Sequence, residues 1–266
     1  MPDATPHTPL VLAVSNQKGG EGKTTTAVNL AASLAAAERR VLLVDLDPQC
    51  NASSSVGFPR GDVDAGTYDL LVGQGDVDSL ARPTPLDNLH VVPATADLAG
   101  AEVELVQLED RATLLREALA RATTSYDFVI LDCPPSLGLL TLNALVAANS
   151  VLIPMQAKYF SLEGLSALRE TMERVRGALN PGLHIQGILF CLFDPRTNLA
   201  QQVVKEVETH FEGLVFKTRI PQNIRLSESP SHGLPAILYD IDSKGAQAYL
   251  ALARELLESL DQESSP

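Results

Sequence analysis

The sequence predicts an α/β fold, a doubly wound and mostly parallel sheet flanked by helices. Three observations support this. Short apolar runs recur along the chain, they do not alternate with polar residues, and helical segments separate them. Continuous apolar runs suit strands buried on both faces. Strand, helix and strand in succession imply parallel neighbours joined by crossovers that cover the sheet. Ligands of such sheets sit at the carboxyl ends of the strands, so those ends are where chemistry is sought.

Residues 10–15 (LVLAVS) form the first expected strand, and TTTAVNLAASLAAAERR at 24–40 follows with the alanine and leucine spacing of a helix. VLLVDLD at 41–47 is the second strand. The stretch 51–87 is rich in Gly, Asp and Pro, which predicts an irregular surface segment too short to be a domain. LHVVPA at 89–94, DFVILD at 127–132, SVLIPM at 150–155 and IQGILFCLF at 185–193 complete the strands. Amphipathic helices are expected over 97–122, 161–179 and 246–263. A chain of 266 residues with 45% hydrophobic residues fills one sizeable core. Residues 10–260 are therefore expected as a single domain, with flexible tails over 1–9 and 261–266.

The formal charge is −13, so the mean field repels nucleic acid and anionic lipid, and DNA binding would need a local basic patch. Cys50, Cys133 and Cys191 are widely spaced with no CxxC pair, which predicts small buried residues in a reducing compartment. No apolar run reaches the ~20 residues of a membrane span, and the start MPDATPHTP has no signal-peptide pattern. A cytoplasmic protein is expected.

Between the first strand and first helix lies NQKGGEGKTTT at 16–26. Glycines let successive backbone N–H groups turn toward phosphate oxygens, and a helix N-terminus adds positive potential. In this context Lys23 is expected to reach the β- and γ-phosphates, and the Thr24 hydroxyl to ligate magnesium. The general phosphate-loop pattern would place its first glycine at position 17, where the chain has Gln17 followed by Lys18. Two ammonium groups on one short loop repel if both crowd one phosphate, so Lys18 suits a task outside its own site. Glu21 is also unusual: a carboxylate beside a triphosphate is unfavourable, so only its backbone N–H is expected to face the nucleotide, or else it pairs with a lysine across an interface.

Two strand ends supply carboxylates. Asp45 and Asp47 stand two residues apart and share a face if the strand persists, and Asp132 closes FVILD before Cys133 and the Pro134-Pro135 turn. Carboxylates at strand ends can hold the water shell of magnesium and orient an attacking water.

KGGEGKTT resembles the deviant Walker A motif of the ParA/MinD family of P-loop ATPases, and VLLVDLDPQ and FVILDCPPS resemble its second and third motifs. MQAKYFSLEGL, FDPRTNLAQQVV and RIPQNIRLSESPSHGLPAILYDIDSKGAQAYLALARELL look like the ParA/Soj partition branch, and the likeness spans nearly the whole chain. The resemblance implies ATP and magnesium as cofactors, with Gly19, Gly20, Glu21, Gly22, Lys23, Thr24 and Thr25 cradling phosphates. It implies Lys18 reaching the partner subunit's nucleotide, Asp47 positioning the water, Asp45 in support, and Thr24, Asp47 and Asp132 around the metal. Pro221 and Asn223 fall where the family recognises adenine.

The implied activity is ATP hydrolysis coupled to chromosome or plasmid partition. A homodimer assembles on ATP, binds double-stranded DNA without sequence preference, associates with the nucleoid, and is reset with the help of a ParB-type partner. Lys217, Arg219 and Arg225, with Arg196 and Lys244, are the candidate DNA contacts. Two positions that are basic in relatives are Gln222 and Leu234 here, which together with the charge of −13 predicts weak, salt-sensitive binding. The alternative is a nucleotide-gated regulatory or cargo-positioning scaffold with little hydrolysis. The helix at 246–263 carries more acid than base, which argues against membrane attachment and for packing on the sheet.

Overall fold

The computed structural model describes residues 8–122 and 124–263. Seven strands form one sheet: β1 (Leu10–Val14), β2 (Val41–Asp45), β3 (Arg82–Pro83), β4 (Leu89–Val92), β5 (Phe128–Asp132), β6 (Ser150–Gln156) and β7 (His184–Cys191). Their order is β3-β4-β2-β5-β1-β6-β7, with every pairing parallel except β3 with β4. The doubly wound, mostly parallel architecture is as the sequence predicts. β3 is a two-residue edge strand containing Pro83, too short to leave a periodic signal.

Alternation along each strand explains the continuous apolar runs. Val11 and Ala13 of β1, with Leu42 and Val44 of β2, enter the core on one face. Leu12 and Val14, with Val41 and Leu43, enter the core on the other. The helix Lys23–Ala36 covers the second face, and its Leu30 and Leu34 are fully buried there. The last helix, Lys244–Glu263, packs chiefly against that first helix through Tyr249, Leu252 and Leu256, and Tyr249 also meets Cys191 at the end of β7. No described helix is long and apolar enough to cross a membrane.

Two expectations need correction. The helix predicted over 97–122 is broken into Leu98–Glu104, a 3-10 turn at Leu105–Gln107, and Leu114–Ala120. The Thr113 hydroxyl donates to the Asp110 carbonyl, a local bond that competes with helix continuation. The segment 51–87 is also more regular than predicted, with short helices at Asn51–Ser54, Thr67–Val72 and Val77–Leu80. Of the tail expected over 1–9, only residues 8 and 9 are among the described residues; residues 261–263 continue the last helix, and 264–266 lie outside the described residues.

Candidate functional site

The loop between β1 and the helix Lys23–Ala36 is anchored at its root. Buried Asn16 donates from Nδ2 to the Pro154 carbonyl at 2.8 Å, and its Oδ1 accepts the Lys18 N–H at 3.1 Å. Gly20 and Gly22 adopt φ of +76° and +91°, left-handed conformations that favour glycine. At Gly22 a Cβ would also stand 3.2 Å from that of Cys191, so the loop rests directly on the end of β7. Gly22 precedes a helix with no acidic residue in its first turn, which leaves the helix's N-terminal N–H groups available to an anion. Lys23 is buried and donates from Nζ to the Lys18 carbonyl at 3.0 Å. Burial pulls its pKa down, and the nearby Asp132 is the largest influence in the other direction.

β2 and β5 bring two aspartates side by side, because Asp45 and Asp132 are register partners. Both are fully buried. Asp45 is satisfied: its Oδ2 accepts from the Ser53 N–H at 2.8 Å and hydroxyl at 2.6 Å, and its Oδ1 from the Asp47 N–H at 3.1 Å. Burial pushes its pKa up to about 6 despite those bonds. Neither oxygen of Asp132 has a hydrogen bond of ordinary geometry. Burial, then the charge of Asp45, push Asp132 well above the carboxylate range, while the nearby Thr24 hydroxyl and Lys23 favour its charged form. Asp47 lies just beyond β2, buried, with its Oδ1 accepting the Gln49 N–H at 2.9 Å.

Between these strand ends and the loop opens a cavity of about 430 Å³, within the size range of small-molecule sites. Gly19, Gly20, Gly22, Lys23, Thr24, Thr25, Asp47 and Asn223 all line it. An orphaned buried carboxylate beside Thr24 and Asp47 suits magnesium, which keeps several waters and takes one or two carboxylates together with phosphate oxygens. No cluster of three or more His, Cys, Asp or Glu side chains able to hold a metal occurs among the described residues.

A family model described as an AAA domain matches residues 10–185. The chromosome partitioning protein ParA of Myxococcus xanthus is 56% identical over 248 residues, covering 93% of this chain and 88% of its own. The chain belongs to the ParA/Soj family of chromosome-partitioning ATPases. The sporulation initiation inhibitor protein Soj of Bacillus subtilis is 53% identical over 246 residues, covering 92% of this chain and 97% of its own. Among solved structures, cobyrinic acid a,c-diamide synthase from Mycobacterium smegmatis, with bound ADP and magnesium, is similar with a TM-score of 0.83 and 36% identity over 96% of each chain.

Of the positions expected at the site, Asn223 lines the cavity, whereas Lys18, Glu21, Asp45, Asp132 and Pro221 do not. Pro221 does not line the cavity; Ile220 and Leu226 form the apolar wall expected of it. The reason is that Phe193 and Ile220 are joined by a backbone hydrogen bond of 2.9 Å, which continues the pairing along β7 and fixes the direction of this segment. Asn223 is the N-cap of the helix Ile224–Glu228, and its Oδ1 accepts the Arg225 N–H at 3.0 Å. That bond uses one of the two acceptor positions of Oδ1 to cap the helix. The Glu21 side chain is buried and absent from the cavity lining. Lys18 is turned to its own subunit, with Nζ 3.3 Å from Glu21 Oε1.

Cys191, expected only as a small buried residue, and Tyr249, which the sequence does not point to, line the same cavity. Cys191 closes an apolar strand run, which is a usable signal; Tyr249 sits mid-helix and has none. The Tyr249 hydroxyl lies 3.1 Å from that of Thr26 beneath the loop. All three cysteines are free and buried, and burial holds Cys191 up at about 12, so it serves as packing.

The candidate DNA cations differ in availability. Arg196 pairs with Asp194 at 2.7 Å, Arg219 with Glu208 at 2.9 Å, and Arg225 with Glu228 at 2.9 Å and Asp240 at 3.0 Å. The Arg219 guanidinium also lies 5.1 Å from the centre of the Phe190 ring. Lys217 and Lys244 are exposed and have no ion pair among the described residues.

Proposed function

We propose that this chain, acting as one ATPase unit over 10–260, binds ATP with magnesium and pairs with a second copy while the nucleotide is intact. The pair binds duplex DNA without sequence preference in chromosome or plasmid segregation, and hydrolysis resets it. What carries the proposal is the bare, buried Asp132 carboxylate beside Lys23, at the foot of a loop whose glycines turn its backbone toward the cavity. Relatives lend support: the Mycobacterium smegmatis protein has been solved with ADP, and with an ATP analogue, each with magnesium.

The residues divide the chemistry among themselves. Lys23 offsets charge on the β- and γ-phosphates, and the backbone of Gly19–Gly22 with Thr24 and Thr25 fixes their place. Asp132, Asp47 and the Thr24 hydroxyl hold magnesium, directly or through water. When bound, that ion neutralises charge between the transferred phosphoryl group and the leaving oxygens. Asp47, near the cavity surface, orients the attacking water, and Asp45 sets the turn that carries Asp47. Ile220 and Asn223 receive the base. Lys18 crosses to the nucleotide of the second copy, which makes the γ-phosphate the link between subunits and the switch for assembly.

DNA contact then rests mainly on Lys217 and Lys244, because the three arginines must first release their own carboxylates. With two of the five candidate cations unpaired among the described residues, binding is weak and a modest rise in salt abolishes it, with dimerisation doubling the patch. A ParB-type partner accelerates turnover, and the ATP-bound form resides on the nucleoid within the cytoplasm. The Lys18–Glu21 pair favours a second reading, in which the chain is a nucleotide-gated scaffold with little hydrolysis of its own.

Asp47→Ala separates the two. In the partition ATPase it leaves ATP binding and dimerisation in place and lowers DNA- and partner-stimulated turnover on the order of a hundredfold. Light scattering on a sizing column with and without ATP, alongside phosphate release, provides the measurements. Unchanged turnover in the variant defeats the assignment of Asp47, and background turnover in the wild type under every condition favours the scaffold.

A further inference from the structure

Glu21 stands inside the phosphate loop and is 1% exposed, yet its carboxylate turns from the cavity toward the end of β6. Its Oε2 accepts the Gln156 N–H, and its Oε1 accepts the Ser161 hydroxyl at 3.0 Å. The Gln156 side-chain amide completes the junction by donating to the Gly20 carbonyl at 2.8 Å. The Lys18 ammonium, 3.3 Å from Oε1, is the remaining partner, and its side chain is 39% exposed. A carboxylate at this depth needs its hydrogen bonds, whereas a half-exposed ammonium can exchange one partner for another.

We infer that Glu21 is a positioning residue for Lys18: it holds the ammonium in its own subunit at rest, and this pair must open before Lys18 serves a nucleotide in a second copy. The inference deepens the proposed function and rests on its assignment of Lys18 to the partner's site. The surroundings permit opening without stranding a charge, because Glu21 keeps the Gln156 N–H and the Ser161 hydroxyl after Lys18 leaves. The same two bonds keep the carboxylate away from the cavity, so the loop does not need to reshape when the lysine moves. The pair therefore competes with assembly. A partly exposed ion pair shifts such an equilibrium by about threefold, and two pairs open per dimer that binds two nucleotides, so the nucleotide concentration needed shifts by about threefold.

Glu21→Gln tests the charge with little change in shape. Its carbonyl oxygen can still accept the Gln156 N–H and its amide can donate to the Ser161 hydroxyl oxygen, but it no longer attracts an ammonium. Glu21→Asp is the complement, keeping the charge and weakening the junction with β6. Two measurements on the full chain are needed. Limiting acetic anhydride on nucleotide-free protein, read by mass spectrometry with Lys217 and Lys244 as internal references, reports how firmly Lys18 is held. Light scattering over a titration of AMPPNP with magnesium gives the midpoint of dimer formation.

The expected result is that Glu21→Gln acetylates Lys18 about threefold faster and dimerises at about a threefold lower AMPPNP concentration, while its melting temperature stays near wild type. Unchanged labelling and an unchanged midpoint in Glu21→Gln overturn the inference and leave Glu21 as a brace of the loop. A midpoint that follows melting temperature across Gln and Asp variants, rather than charge, overturns it equally. Faster labelling with no dimer in any variant, wild type included, supports the resting pair and defeats the proposed function instead.

Discussion

The carboxyl ends of β2 and β5 lie side by side at the same depth, and each ends in a buried aspartate, yet the fold treats them in opposite ways. At the end of β2, Asp45 accepts three hydrogen bonds and, through the Ser53 hydroxyl, which also accepts the Ala94 N–H at 2.9 Å, ties the turn after β2 to the segment after β4. At the end of β5, Asp132 accepts none of ordinary geometry. A side chain whose hydrogen bonds the fold supplies serves the fold. One left bare in the same layer, beside Lys23 and Thr24 and just behind the side chains that line the cavity, lowers stability and is kept for a ligand.

The largest expected contrast comes from cutting the satisfied side. Asp45→Ala leaves the Ser53 N–H, its hydroxyl and the Asp47 N–H without their acceptor in a dry site, at a cost of about 2–3 kcal/mol after relief of repulsion with Asp132 is allowed for. In a domain of this size that lowers the melting temperature by roughly 4–10 °C. The same variant displaces Asp47, so turnover falls as well. A variant that melts like wild type would show that the β2 end does not depend on this carboxylate.

A smaller effect of opposite sign is expected at β5. Asp132→Asn removes a buried ionisable group that burial and Asp45 disfavour more than Thr24 and Lys23 favour it, and should stabilise the nucleotide-free protein by about 1 kcal/mol. The gain should vanish when magnesium and ATP are added, because the wild type is then stabilised by its ligand and the variant much less so. Differential scanning fluorimetry with EDTA, and then with magnesium and ATP, reads both arms. A nucleotide-free Asp132→Asn protein that loses as much stability as Asp45→Ala would erase the contrast between the strand ends.

Much of this was legible in the sequence, and the reason is periodicity. Six apolar runs marked six parallel strands because burial on both faces removes the polar alternation, whereas Arg82–Pro83 offered two residues and no period. The glycines, Lys23, Thr24, Thr25 and Asp47 meet in one cavity because a loop leaving a central strand can converge only on the neighbouring strand ends. Which of two aspartates is satisfied was not legible, since that depends on where Ser53 falls in a segment that looked irregular. Nor was the pairing of Arg219 with Glu208 or of Arg225 with Asp240, whose partners lie 11 and 15 residues away across turns. Counting cations along 217–225 overstates the charge open to DNA for that reason.

The finest discrimination between the strand ends is their response to pH. Asp45 and Asp132 both have folded pKa values raised above the unfolded range, to about 6 for Asp45 and well above that range for Asp132. For a raised carboxylate the folded state binds the proton more tightly, so the stability it contributes is fully present below the unfolded pKa and is lost as pH rises through the folded one. Without nucleotide and in EDTA, wild-type stability should therefore fall between pH 5 and 7.5 through these two groups. His90 acts in the opposite sense over that window, because burial lowers its pKa and the unfolded chain takes up its proton more readily. Lys23, also lowered, shares that opposite sign. The His90 contribution is common to wild type and Asp132→Asn and cancels when the two denaturation profiles are subtracted, so the difference reports Asp132 with the groups coupled to it, Asp45 and Lys23. The wild type should lose about 1 kcal/mol more than the variant across the window, and the variant should retain only the Asp45 step, shifted to lower pH once its charged neighbour is gone. Parallel profiles would mean that Asp132 carries no burden in the nucleotide-free protein, and that its bare oxygens are not what distinguishes the two strand ends.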